Sequence, residues 1–234
     1  MALLARDIIA AAQTVLMDAG AVRWTMPELL GWLNDGMTEI AMQKPSATAE
    51  TATLALVEGT LQSIPDGYIQ ILRAVRNLSA TSPSRVGGRI ITTVAREMMD
   101  AFTPDWHDPS RHPYAVEATD LIYDPANPRA FYVYPPNTGT GIIEAVLSAR
   151  PAIIDTPADP TLIASYAIDT GIDPMWRSAL TDYVLARAMT KDAAIAGMAA
   201  RAAGHLQMFL SAVGVRAQAE TMASPNTTGA PPKP

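Results

Sequence analysis

The chain has no cysteine among its 234 residues, so a disulfide framework and thiolate metal sites are excluded. Basic residues are scarce as well. Lys and Arg number 17 against 23 Asp and Glu, for a net charge of −6 and no basic stripe. A protein built to grip nucleic acid would show the opposite balance. No apolar run approaches the roughly 18 residues that a membrane-spanning helix requires. The N-terminus carries Arg6 and Asp7 inside its apolar stretch and has no basic leader, so no signal peptide is expected. Catalytic signatures are missing too. Gly87-Gly88-Arg89 has neither the spacing nor the lysine of a phosphate-binding loop and reads as a turn, and no Gly-x-Ser-x-Gly elbow occurs.

What the chain does have is apolar substance, 49% of residues, which is ample for a core. Its organising stretch is C-terminal. Leu180, Val184, Ala188, Ile195, Met198, Ala202, Leu206, Phe209 and Val213 recur at helical spacing. Asp173-Pro174 opens the run as N-cap and first-turn proline. Thr190-Lys191-Asp192 interrupts it, which predicts one helix over residues 173–189 and a second over 192–213, capped by Thr190 and closed by Gly214. A single long helix is the competing reading. A second face is small: Ala186, Ala193, Ala194, Ala196, Gly197, Ala199, Ala200, Ala203 and Gly204. Helix propensity alone explains so much alanine; close packing, including against a neighbouring subunit, is the functional alternative.

At the other end, residues 3–19 form an amphipathic helix with Leu4, Ile8, Ala12, Val15 and Leu16 on one side, ended by Gly20. Thr25-Met-Pro-Glu28 is a capping box that starts a helix reaching Gln43. After Thr51 the period changes. Residues 53–57 and 60–64, joined at Glu58-Gly59, predict a β-hairpin. Residues 68–78 fit a strand, over 71–78, or else a short helix; strands follow over 89–92 and 118–123, with a helix capped by Thr93 between these two. Residues 130–134 and 141–149 alternate and predict a second hairpin. Residues 100–128 form a proline-rich surface excursion with six acids against one base, Arg111.

The expected fold class is therefore α+β, mainly α: a helical bundle interrupted by a small antiparallel β insert, with an extended C-terminal tail. Its parts are an N-terminal helical hairpin (1–48), a β-rich insert with one short helix and an acidic loop (49–158), C-terminal helices (159–222) and a low-complexity tail (223–234).

One cluster has the chemistry of a metal site: Asp105, His107, Asp108 and His112. A metal-dependent enzyme built on it is the reading from a different class. It lies among prolines without the preorganised geometry and outer hydrogen bonds that metal ligands need. His205, between Ala202 and Leu206, reads as a packed or interfacial residue. Trp24, Trp32, Trp106 and Trp176 read as core or interface anchors. No catalytic residue, cofactor site or metal site is expected.

Residues 20–35 (Gly-Ala-Val-Arg-Trp-Thr-Met-Pro-Glu-Leu-Leu-Gly-Trp-Leu-Asn-Asp) resemble the opening of tailed-bacteriophage head-to-tail adaptor, or connector, proteins. The resemblance continues in order through Pro-Asp-Trp-His (104–107), Phe-Tyr-Val-Tyr-Pro-Pro (131–136), Asp-Tyr-Val-Leu-Ala-Arg-Ala (182–188), Lys-Asp-Ala (191–193), Ala-Arg-Ala-Ala-Gly-His (200–205) and Pro-Asn-Thr (225–227). Residues 159–173 are longer than the usual link in such proteins. The resemblance implies a structural virion protein of the neck, present in the host cytoplasm during assembly. It implies a homo-oligomeric ring, a dodecamer, bound to the portal and to a tail or nozzle protein. Genomic DNA would pass through without sequence-specific binding, and no membrane would be involved. Ser224, Pro225, Asn226, Thr227, Pro231 and Pro232 would dock on the portal. Trp106, His107, Arg187, Arg201 and His205 would lie at subunit or neighbour interfaces. A tail-completion or stopper protein of the same neck is the nearest alternative.

Overall fold

The computed structural model describes residues 2–124 and 126–223, and the chain divides into two compact units. The first takes Met1–Ala47 and the chain from Pro151 onward; the second is Thr48–Arg150.

In the first unit, α1 (Ala5–Leu16) buries Ala5, Ile8, Ile9 and Ala12. It ends before Gly20, because Met17 adopts the left-handed conformation at φ 57°. Thr25 caps α2 (Met26–Gln43) through the expected box: the Thr25 hydroxyl accepts from the Glu28 N–H, and the Glu28 carboxylate accepts from the Thr25 N–H at 3.1 Å. Its buried face is Leu29, Leu30, Leu33, Met37 and Ile40. At Gly36 a side-chain carbon would lie 3.0 Å from the Tyr183 ring, so glycine lets the helices approach closely here. The irregular stretch 151–172 is fastened down rather than loose. The Asn34 side-chain amide brackets the backbone of Ile154, donating to its carbonyl and accepting from its N–H, both at 3.0 Å. Tyr166 is fully buried.

Asp173 caps a short turn (Pro174–Trp176), accepting from the Met175 N–H at 2.8 Å, and α4 (Arg177–Lys191) follows. The predicted break is present, but residues 192–197 fill it, with Gly197 at φ 85°. Thr190 is not the second cap. It lies inside α4 and donates its hydroxyl to the Ala186 carbonyl at 2.7 Å. The last helix, α5 (Met198–Ala223), runs through Gly214 instead of ending there. One glycine costs a helix only about 1 kcal/mol, and the following Val-Arg-Ala-Gln-Ala-Glu-Thr-Met-Ala is rich in strong helix formers. Leu180, Val184, Ala188, Ala202, Phe209 and Val213 are buried as expected, whereas Ile195 and Leu206 are exposed.

The second unit overturns the expected pairing. Its strands are β1 (Ala49–Ala55), β2 (Glu58–Ser63), β3 (Tyr68–Ala80), β4 (Val86–Ile90), β5 (Thr92–Ala95), β6 (Asp120–Tyr123), β7 (Ala130–Thr138) and β8 (Ile142–Ala149), with α3 (Arg96–Phe102) after β5. They form two four-stranded sheets, ordered β1-β8-β3-β4 and β2-β7-β6-β5. Neither predicted hairpin exists: β1 pairs with β8 and β2 with β7, so each supposed hairpin sends its two strands to different sheets. Alternation identifies a strand but not its partner, and here the connections are corners built by buried amides. Gln62 folds back to accept from the Val57 N–H at 2.7 Å and to donate to the Val57 carbonyl at 2.8 Å. Asn137, wholly buried, accepts from the N–H groups of Gly139 and Gly141 at 2.9 and 3.1 Å and donates to the Val116 carbonyl at 2.8 Å. Leu54, Ile71 and Ala145 from one sheet meet Leu121, Phe131 and Val133 from the other in a single core, which makes this unit a sandwich. Gly87 and Gly88 lie within β4, not in a turn, and Thr93 lies in β5, while α3 starts at Arg96.

The expected helical bundle with a small β insert is thus incorrect. The described residues hold five α-helices and eight strands in two sheets, 39% helical and 27% strand, which is a mixed α/β fold. The sheets are underestimated from sequence because alternation shows single strands, and only the sandwich core reveals how they combine.

The Asn137→Ala variant strands two N–H groups and a carbonyl in the interior, which costs about 2–4 kcal/mol. Denaturant unfolding should show that loss; a change within about 0.5 kcal/mol, the level of ordinary surface substitutions, would refute the corner's role.

Candidate functional site

The residues singled out by sequence fall in three places. In the sandwich unit, α3 and the loop after it cover the outer face of the β2-β7-β6-β5 sheet. Trp106 packs with Met99 and Ile122 beneath the rings of Tyr132 and Tyr134. It is wholly buried and donates its indole N–H to Asp100 at 2.9 Å. Trp106 therefore anchors the loop to its own sheet, and the side chain beside it that reaches solvent is His107. Arg96 lies over the Tyr132 ring at 5.3 Å and pairs with Asp100 and Asp124 at 3.5 and 3.3 Å.

Each of the four residues with metal-ligand chemistry has a hydrogen-bond partner, and Asp105 and His112 are partners of each other. His107 Nδ1 is 2.9 Å from the Thr60 hydroxyl, and burial, followed by the nearby Arg96 charge, lowers its pKa. His112 is held between Asp105 at 3.2 Å and the Tyr134 hydroxyl at 3.1 Å. The Asp108 carboxylate turns back to accept from the Ser110 N–H and hydroxyl at 2.9 and 2.7 Å. His112 first, and then Arg111, hold the Asp105 carboxyl below its ordinary range. Among the described residues no group of three or more His, Asp or Glu is arranged to hold a metal ion.

The helical unit carries the other candidates. Arg187 on α4 and Arg201 on α5 are exposed, and neither has an ion pair among the described residues. His205 is part-buried, with Nδ1 2.8 Å from the Asp182 carboxylate, so it ties α5 to α4. Beside that pair runs an open groove of about 440 Å³ lined by Ala11, Val15, Arg177, Thr181, Leu185 and His205. Ser224, Pro225, Asn226, Thr227, Pro231 and Pro232 lie outside the described residues.

A fourth place escaped the sequence reading. The turn after α1 grips the C-terminal end of α4. Asp18 organises the turn by accepting from the N–H groups of Val22, Arg23 and Trp24 at 3.0, 2.9 and 3.0 Å. Trp24 then donates its indole N–H to the Ala188 carbonyl at 2.9 Å, one of the helix-end acceptors that lack an intrahelical partner. Arg23 meets Asp192 with two bonds of 2.6 and 2.8 Å. Lys191 bridges to Glu28 at 2.7 Å and to the Arg23 carbonyl at 3.2 Å, so the capping box of α2 is drawn into the same grip. The capping box was legible, but no local rule pairs position 23 with position 192. The available signal was that Arg23-Trp24 and Lys191-Asp192 both belong to the stretches that carry the family resemblance.

The family model for the SU10 adaptor protein matches residues 4–229. The chain belongs to the SU10 adaptor protein family. No curated protein matches it. As an SU10 adaptor it is a phage structural protein and a component of the virion, in a family that is usually non-enzymatic. Among the described residues no helix is long and apolar enough to cross a membrane. In this SU10 adaptor the best-built polar site is a structural clasp.

Two outcomes follow. Trp24→Phe leaves the Ala188 carbonyl unpaired and should cost about 1–3 kcal/mol in thermal unfolding. Asp18, Glu28 and Asp192 all have lowered pKa values, owing first to the Trp24 N–H, to Lys191 and to Arg23 respectively. A carboxyl lowered by folding stabilises the native state above its unfolded pKa, about 4, and that stability is lost as pH falls through the folded value. The melting temperature should drop on acidification below about pH 4, and less steeply in Asp18→Asn. An unchanged acid slope in that variant would contradict the assignment.

Proposed function

We propose that this chain is a head-to-tail adaptor: copies close into a ring between the portal and the tail, and DNA leaves through its centre. The observation that carries this reading is the face of α5. Ala199, Ala203, Leu206 and Leu210 form a stripe at spacings of four, three and four beside the buried Ala202, Phe209 and Val213, and all four are exposed. Leu206 and Leu210 are 42% and 41% exposed, which is apolar surface placed where small neighbours permit a close helix approach. Family membership across nearly the whole chain supports an assembly role. The net charge of −6 suits a conduit that repels DNA rather than one that holds it. Closed rings use heterologous contacts, one surface against a different one, and such contacts suit exposed stripes of this kind. The family resemblance sets the expected number at twelve and gives residues 223–234 the role of the portal-docking arm.

Mass measurement in solution, with and without the portal, tests the reading. Ring-sized particles, alone or on the portal, are expected, and Leu206→Glu combined with Leu210→Glu should reduce them to folded monomers. A wild-type monomer indifferent to the portal would overturn the ring and favour the stopper alternative.

A further inference from the structure

The two outer faces of the sandwich unit differ in charge. On the β1-β8-β3-β4 sheet the register places Arg76 opposite Glu144 and Arg73 opposite Val146, with Thr53 and Thr51 on the next strand. The inward positions of these strands are the core residues Ile71, Ala74, Ile143, Ala145 and Leu147, so the alternate set faces outward. Arg85 reaches across this face to Glu144 at 2.8 Å and to the Thr53 hydroxyl at 3.1 Å. Glu144 thus serves two guanidiniums, Arg76 at 3.3 Å and Arg85 at 2.8 Å, and Arg73 has no ion-pair partner among the described residues. Ile90, opposite Arg76, is 70% exposed.

The opposite face is the β2-β7-β6-β5 sheet under α3 and its loop. It carries Glu97, Asp100, Asp105, Asp108, Asp120 and Asp124 against Arg96 and Arg111. Phe102 stands 82% exposed there and Met98 54% exposed. One side of a single sandwich is therefore arginine-rich with an exposed isoleucine. The other side is acidic with an exposed phenylalanine. Exposed apolar side chains beside arginine mark a protein-binding surface more than a phosphate-binding one.

We infer that the arginine-bearing face of the β1-β8-β3-β4 sheet docks on the acidic, α3-covered face of the opposite sheet in a second copy of this chain. Because the two complementary surfaces lie on opposite sides of one unit, each copy can accept one neighbour and offer itself to another. That is the geometry a head-to-tail ring requires. The inference rests on the ring reading above and adds which surfaces meet.

The absence of native cysteine allows a direct test. Ile90→Cys and Phe102→Cys are introduced singly and together, and the assembled protein is treated with a flexible bifunctional thiol crosslinker. The double variant should give a ladder of covalent multimers, each single variant almost none. Adding Arg73→Glu, with folding checked by circular dichroism, should weaken the ladder about tenfold, the effect of about 1.4 kcal/mol at one interface contact. Ring-sized particles of the double variant that yield no ladder would overturn this interface while leaving the ring intact. A wild-type chain that never forms a ring would overturn both. Salt-sensitive binding of duplex DNA that is lost with Arg73→Glu, without a ladder, would assign the face to nucleic acid instead.

Discussion

The helical unit depends on the grip that the turn after α1 takes on the end of α4. Each ion pair in it is worth little alone, because Arg23 and Lys191 stay substantially exposed. What makes the grip effective is that several demands are met at once. Asp18 satisfies three backbone N–H groups of the turn, Trp24 satisfies a carbonyl at the end of α4, and Glu28 serves both its own helix start and Lys191. The bonds share one short loop, so the entropy of ordering that loop is spent once for all of them. The grip also fixes where α4 must stop, since Asp192, its C-cap, is the partner of Arg23.

That shared geometry explains which parts of the fold were legible in the sequence. Signals contained within about one helical turn were readable: the Thr25–Glu28 box, the Asp173-Pro174 start and the stripe through Leu180, Val184 and Ala188. Strand periods were readable as well, including β3, whose helix alternative the structure removes. Pairing between distant strands was not. Residues 53–64 and 130–149 look like hairpins because each pair of strands is close in sequence. Yet the buried amides of Gln62 and Asn137 turn each connection from one sheet to the other. A glutamine or asparagine within a strand marks a corner only once its burial is known, and burial is not visible in a single sequence.

The candidate site is legible in residue type. Of the two roles open to Trp106, core or interface anchor, its burial in this chain fits the first, and it holds the acidic loop onto its sheet. Its neighbours His107 and His112 have the right chemistry for a metal, but His107 Nδ1 meets Thr60 and both His112 nitrogens are engaged, by Asp105 and Tyr134. Buried polar side chains such as Gln62 and Asn137 are occupied in fixing the fold, while exposed apolar side chains stand on α5 and at the two faces of the sandwich. The proposed ring makes use of both.

Electron cryomicroscopy of the phage particle, reconstructed at the neck, tests this account most directly. The account predicts a closed ring of this chain between portal and tail, with arginine-bearing and acidic sandwich faces of adjacent copies in contact. A particle that lacks the chain, or holds it only as separate copies away from the neck, would contradict it.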